Sequence, residues 1–376
     1  MRADSLDGMG LQAVAEQHTG AEAALDVREN VPLAPYTTLG IGGPARWFIT
    51  ATTEAEIAAA VQFARDRHVP LFVLGGGSNL LVSDNGFPGL VLHVALRGVH
   101  TSVERPNESV YVTAAAGESW DELVQFTVEE NLQGMECLAG IPGSVGGTPV
   151  QNVGAYGQEV AQTLVSVRCL DMRDLRFVEL TRADLRFGYR TSLLNAAERG
   201  RYIVTRVTFA MKRSGTPGSQ PNLSYADLKR IFPEPARPTL AEVAEAVRGI
   251  RRGKGMVVDA ADPDSRSAGS FFRNPIVPQE SLERVAQVSG LHVNQVPHWP
   301  AGEGCIKLPA AWLLEHAGFV RGTVLGRAGI SSKHTLALVN RGDAAQRDIA
   351  ALRERIVNGV RARFGIELEQ EPVNVG

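Results

Sequence analysis

A chain of 376 residues, 44% hydrophobic and 21% charged, has the balance of a folded globular protein with room for two or three domains, which excludes a disordered chain. Its net charge of −3 gives no reason to expect nucleic-acid binding, and its longest apolar runs, such as Leu71–Leu74 and Leu336–Val339, are too short to span a bilayer. Cys137, Cys169 and Cys305 are odd in number and widely spaced, so neither a disulfide framework nor a metal site is indicated, and reduced thiols in the cytoplasm are expected.

Residues 1–24 start with acidic positions and contain no apolar stretch of the kind a secretory signal requires, so they read as a poorly ordered leader. Further on, Thr53 with Glu56, Ser119 with Glu122 and Thr239 with Glu242 have the spacing of a capping box, in which each residue satisfies an orphan donor of the other. The first predicted helix places Ile57, Ala60, Val61 and Ala64 on one face. The second buries Leu123 and Phe126, and the third Leu240, Val243, Ala244, Val247 and Ile250. A last helix is predicted from Asp343, with Ile349, Leu352, Ile356 and Val360 as its stripe.

Short apolar runs bounded by Gly and Pro predict strands at Leu71–Leu74, Leu90–Val94, Val110–Ala115, Val165–Asp171 and Ile203–Met211. Ser214–Pro221 reads as a surface loop, Pro233–Pro238 as a stiff connector, and residues 255–267 as an interdomain linker. No internal repeat is present.

Two glycine-rich segments carry the chemical information. In Leu71–Val94 a predicted strand runs into Gly75, Gly76 and Gly77, whose bare backbone can approach a phosphate, followed by Ser78 and Asn79 as side-chain donors. A Rossmann loop must open into a helix; this one runs into Leu80–Val82, a turn at Asp84–Gly86 and a further strand, which excludes that fold. The second segment, Leu138–Val160, holds Gly140, Gly143, Gly146, Gly147, Gly154 and Gly157, a density no regular helix or strand tolerates. Ile141, Val145, Val150 and Val153 interrupt it regularly, which fits a backbone wrapped around a flat cofactor.

In order along the chain stand GGGSN (Gly75–Asn79), AGIPGSVGGTPVQNVGAYG (Ala139–Gly157), RFGYRTS (Arg186–Ser192), SAGSFFRNP (Ser267–Pro275) and LEQEP (Leu368–Pro372). Together they resemble the UDP-N-acetylenolpyruvoylglucosamine reductase (MurB) family, over roughly residues 30 to 376. Two departures are visible. The stretch Gly255–Arg266 is longer than in some relatives. The final motif, often LEPE, is LEQE here, with Glu371 retained.

The resemblance implies an α+β fold: a two-part FAD-binding region of the PCMH/vanillyl-alcohol-oxidase type plus a C-terminal α+β substrate-binding domain. The implied divisions are residues 25–98 completed by 365–376, residues 99–254, and residues 255–364. Implied FAD contacts are Gly75, Gly76, Gly77, Ser78, Asn79, Ile141, Pro142, Gly143, Ser144, Gly147, Gln151, Asn152, Gly154 and Tyr156, with FAD held tightly but non-covalently. NADPH is the implied co-substrate, and UDP-N-acetylglucosamine enolpyruvate the implied substrate, with no obligate protein partner.

By the same resemblance, Ser270 protonates substrate carbon, while Arg190 and Glu371 hold the enolate formed by hydride addition. Serine is a weak acid and suits this task only because an enolate carbon is strongly basic. Arg190 supplies a permanent charge with a planar fork. Read by itself, the cluster Arg248, Arg251, Arg252 and Lys254 equally fits a helix end that complements its dipole. The resemblance selects Arg251 and Lys254 for the diphosphate, with Tyr225 covering the nucleotide and Asn274 and His334 nearby. An FAD-dependent oxidase of the same fold, acting on a small alcohol or lactone, is the alternative; it needs no such basic cluster. A flavin-binding module without turnover needs neither SAGSFFRNP nor Glu371.

Overall fold

The computed structural model describes residues 25–103, 109–215 and 220–376. The expected leader, residues 1–24, lies outside the described residues, as does the middle of the loop expected at Ser214–Pro221. Seven α-helices are described: α1 (Glu54–Asp66), α2 (Trp120–Glu129), α3 (Ala226–Ile231), α4 (Leu240–Gly253), α5 (Ser281–Ser289), α6 (Ala310–His316) and α7 (Gln346–Phe364).

The first layer is a sheet ordered Arg28–Pro32, Pro44–Ala51, Phe87–Val94, Leu71–Leu74, antiparallel at its first pair and parallel thereafter. α1 crosses between two of these strands and covers the sheet with Ile57, Ala60, Val61 and Ala64, the face its 3.6-residue spacing predicts. Thr53 and Glu56 form the full reciprocal cap. A second, antiparallel sheet runs Arg176–Thr181, Leu164–Asp171, Tyr202–Arg213, Val110–Ala115, Val99–Val103. α2 and α4 bury Trp120, Leu123, Val243 and Val247 in the core beneath it. Thr239 and Glu242 again form both halves of the cap, whereas at α2 Ser119 accepts from Glu122 N without the return bond.

The remaining core gathers α5, α6 and α7 on a sheet ordered Ser267–Ser270, Ala337–Asn340, Ala328–Ile330, Val324–Leu325. Leu39, Ile41 and Leu81 from the first layer are buried in this core, so the two layers share apolar surface. The chain end returns to the first layer, where Val373–Val375 pairs in parallel with Leu80–Val82.

Three expectations need correction. α7 starts at Gln346 rather than Asp343, because its cap comes from elsewhere: Asp84 accepts from the N–H groups of Gln346 (2.5 Å) and Arg347 (3.2 Å). Residues 255–267 are no loose linker; buried Asp264 accepts from Ser332 N at 3.2 Å, and Asp262 pairs with Lys333 at 2.8 Å. The strand expected at Leu90–Val94 starts earlier and runs Phe87–Val94.

Candidate active site

A cavity of about 400 Å³ opens where both glycine-rich segments, the strand Ser267–Ser270 and the C-terminal stretch meet. Beside it the two glycine-rich segments pack on each other by direct backbone contact. A Cβ at Gly76 would stand 2.5 Å from Gly143 Cα, and one at Gly75 would meet Ser144 Oγ at 2.6 Å. Gly77 turns at φ +62°, where a Cβ would lie 1.8 Å from Tyr36 O. At Gly76 and Gly77 a side chain would run into backbone, so this close packing requires glycine there.

Ser78, Asn79, Ile141, Pro142, Gln151, Gly154 and Tyr156 face the cavity. Asn79 Nδ2 donates to Gln151 Oε1 at 3.1 Å, which joins the two segments. Asn152 turns away. Its carboxamide donates to Glu159 (2.8 Å) and Gly188 O (3.2 Å) and accepts from Ala161 N (3.1 Å), so it braces the loop. Gly147 likewise lies in a short 3₁₀ turn outside the lining, and Gly75, Gly76, Gly77, Gly143 and Ser144 stand outside it too, packed against one another and Tyr36.

Ser270, Arg190 and Glu371 come together in this cavity from three remote parts of the sequence. Ser270 ends its strand after a register shift, with Gly269 at φ +73°; the irregularity presents consecutive residues 267–270 to the cavity. Glu371 is placed by Phe271, whose carbonyl accepts from Glu371 N at 2.9 Å. Arg190 sits in the tight turn Gly188–Thr191 at φ +55°, a conformation that costs a non-glycine residue on the order of 1–3 kcal/mol.

Arg190 Nε and Glu371 Oε1 are 3.3 Å apart, yet the N–H is not aimed at the oxygen, so Nε is buried without a hydrogen-bond acceptor. The pair is coulombic. Burial pushes the Glu371 carboxyl above the usual range, and Arg190 and Arg273 pull it back toward ionisation.

Part of the lining is cationic. Of the four basic residues at the end of α4, Arg248 is spent on Asp121 (2.8 Å) and Gln125 (2.7 Å), and Arg252 on Glu245 (2.9 Å). Arg251 and Lys254 face inward. Arg251 is buried, donating to the carbonyls of Gly140 (3.1 Å) and Met256 (2.9 Å). Lys254 lies 5.4 Å from the centre of the Tyr156 ring and 3.6 Å from Asp227. Burial pushes the Tyr156 phenol up to about 12, with nearby Arg251 opposing the shift. Tyr225 packs edge-on against Tyr156, centroids 5.1 Å apart, and is 42% exposed at the mouth.

Asn274 lines the cavity while its Oδ1 accepts from Ala310 N at 2.9 Å, closing the first turn of α6. His334 also lines it. Its Nδ1 accepts from Leu336 N at 3.0 Å, which leaves the ring proton on Nε2. Burial, with Lys254 and Arg321 adding repulsion, lowers its pKa to about 4. The imidazole is therefore a neutral donor at pH 7.

Sequence reasoning missed Met256, Val258, Ser265 and Ser267, which line the cavity from the stretch read as a linker. Two aliphatic residues in an otherwise polar, Asp-rich stretch were the available signal. Arg273, inside a quoted motif, was also passed over.

Residues 45–180 match the family described as "FAD binding domain", and residues 262–375 the family described as "UDP-N-acetylenolpyruvoylglucosamine reductase, C-terminal domain". Among curated relatives named UDP-N-acetylenolpyruvoylglucosamine reductase, that of Streptomyces coelicolor is 48% identical over 92% of this chain and 90% of its own. That of Thermobifida fusca is 47% identical over 92% of this chain and 97% of its own. The crystal structure of the reductase (MurB) from Thermus caldophilus aligns with a TM-score of 0.62 at 28% identity, covering 94% of this chain and all of that one. An FAD-binding region in two sheets, a distinct C-terminal core and relatives matched along nearly their full length agree, and the chain belongs to the UDP-N-acetylenolpyruvoylglucosamine reductase family.

Proposed function

We propose that this chain is an FAD-containing, NADPH-dependent UDP-N-acetylmuramate dehydrogenase that reduces UDP-N-acetylglucosamine enolpyruvate to UDP-N-acetylmuramate in peptidoglycan precursor synthesis. The observation that carries the reading is one cavity lined by Ser270, Arg190 and Glu371 together with the cations Arg251 and Lys254. Residues 25–98 with 365–376, and 99–254, form the two parts of the flavin region, and 255–364 the substrate domain. No helix among the described residues is long and apolar enough to cross a membrane, and a cytoplasmic location accords with the substrate.

The glycine-rich segments would hold FAD without a covalent bond: neither has a cysteine, and their one histidine, His93, packs against Tyr36 and Phe48 instead of lining the cavity. Ser78, Asn79, Ile141, Pro142, Gln151, Gly154 and Tyr156 would hold FAD, which would supply the hydride chemistry between NADPH and the enolpyruvyl carbon. The residues of the chain manage charge and protons around that transfer. Arg251 and Lys254 oppose the diphosphate, and Tyr225 covers the nucleotide. His334 Nε2–H and Asn274 donate without adding charge. Arg190 faces the negative charge that develops on the substrate, in a site where preorganised charge is a large catalytic term. Glu371 sits beside it, and Ser270 delivers a proton to C2, giving the saturated lactyl ether.

An anaerobic cuvette tests this. The yellow protein should bleach with NADPH and regain its colour when the enolpyruvyl nucleotide is added. An oxidase of related fold would recolour only with oxygen, and it would have no use for Arg251 and Lys254.

A further inference from the structure

We propose that Glu136, a carboxylate outside the cavity, is a positioning residue that holds Tyr225 against Tyr156 and thereby sets affinity for the nucleotide end of the substrate. Glu136 is 0% exposed. It accepts from Gly134 N at 2.9 Å, Gln158 Nε2 at 2.8 Å and Asn222 N at 3.0 Å, and no Lys, Arg or His among the described residues pairs with it. A buried carboxylate held only by neutral donors is costly unless those bonds are all made. A turn that merely ended α2 would have no need of one.

What the three donors carry explains the expense. Gln158 pairs with Ala155 in the small hairpin that presents Tyr156, and its Oε1 accepts from Cys137 N at 2.7 Å. Asn222 begins the stretch that presents Tyr225. Its Nδ2 donates to Gly157 O at 2.9 Å, and its Oδ1 accepts from Ser224 N at 2.9 Å. The stretches carrying the two tyrosines thus converge on one oxygen, Glu136 Oε1, while Oε2 takes Gly134 N, and the two rings meet 5.1 Å apart. Asp227, two residues beyond Tyr225, contacts Lys254 at 3.6 Å, so the same anchor also fixes a partner of that lysine.

The inference rests on the proposed nucleotide-linked substrate, and the test separates the two. Glu136→Gln keeps the shape but removes the charge that strengthens these bonds, and its NH₂ must face either Gly134 N or the Gln158 and Asn222 donors. The holoenzyme should retain about one FAD and a kcat within about twofold of wild type, while KM for the enolpyruvyl nucleotide rises by roughly tenfold, about 1.4 kcal/mol. Asn222→Ala should move KM in the same direction. With Tyr225→Ala already present, Glu136→Gln should change KM by less than about twofold, since the group it positions is gone. An unchanged KM, loss of FAD, or the full effect in the Tyr225→Ala background overturns the proposal. A wild-type protein that ignores the enolpyruvyl nucleotide overturns the functional reading instead. In that case trypsin cleavage after Lys229 and Arg230 still decides: faster cutting in Glu136→Gln holoenzyme supports positioning, and equal rates overturn it.

Discussion

Arg190 and Glu371 form a close ion pair that is not a hydrogen bond, 3.3 Å between Nε and Oε1 with the guanidinium N–H directed elsewhere. The arginine therefore acts on the carboxyl by charge and keeps a donor for another group. Burial raises the Glu371 pKa and Arg190 lowers it, so removing the cation leaves burial less opposed. In Arg190→Met the acid limb of the pH profile for flavin reoxidation should move to higher pH. The maximal rate should fall by roughly 10²-fold or more. An acid limb that stays in place would show that another group governs it.

Ser270 has no task while NADPH reduces the flavin. Ser270→Ala should keep near-normal bleaching in stopped flow and slow reoxidation by the enolpyruvyl nucleotide roughly 10²–10⁴-fold, the usual contribution of a positioned general acid. Equal slowing of both half-reactions would make Ser270 a structural member of the flavin pocket.

Lys254→Ala should raise KM for the enolpyruvyl nucleotide roughly tenfold or more, since a hydrogen bond to a charged group is worth about 1.5–3 kcal/mol. The spectrum of bound FAD should stay unchanged. A variant with normal KM that is only slightly less stable would reduce this lysine to a complement of the α4 dipole.

His334 predicts a pH dependence of stability. Its folded pKa of about 4 lies below the 6.5 of an unperturbed histidine, so the unfolded chain takes up a proton first as pH falls. The stability tied to the neutral ring is fully present above about pH 6.5 and is lost as pH falls toward 4. Between pH 7 and pH 5 the Tm of His334→Gln should drop less than that of wild type. Parallel curves would mean that His334 is solvated and titrates normally.

Features whose causes lie within a few residues were legible in the sequence. The caps at Thr53 and Thr239 and the buried stripes behind them needed only local spacing. The start of α7 was misread because its cap, Asp84, lies in a distant turn. Residues 255–267 look like a linker by composition, since nothing local shows that Asp264 will meet Ser332 or that Met256 will face a cavity. Within the site, the glycines announced a close backbone approach, and the family motifs supplied Ser270, Arg190 and Glu371. The positive φ of Arg190, Tyr156 and Asn152 was invisible, because none is the glycine that such a conformation ordinarily selects. Glu136 was passed over for the same reason as Asp84: its partners are assembled only in three dimensions.

The stretches carrying Ser270 and Glu371 are tied by two rungs, Glu371 N to Phe271 O (2.9 Å) and Arg273 N to Glu369 O (2.9 Å). Side chains along such an extended run alternate between faces, so a shift of one residue exchanges inside for outside. Ile366 and Leu368 are buried, while Glu367 and Glu369 point to solvent. Replacing Glu367 or Glu369 leaves that frame intact. Deleting one residue between Gly365 and Gln370 would bring charge into the core or carry the carboxyl of Glu371 out of the cavity. This part of the chain can therefore vary in spelling but not in length.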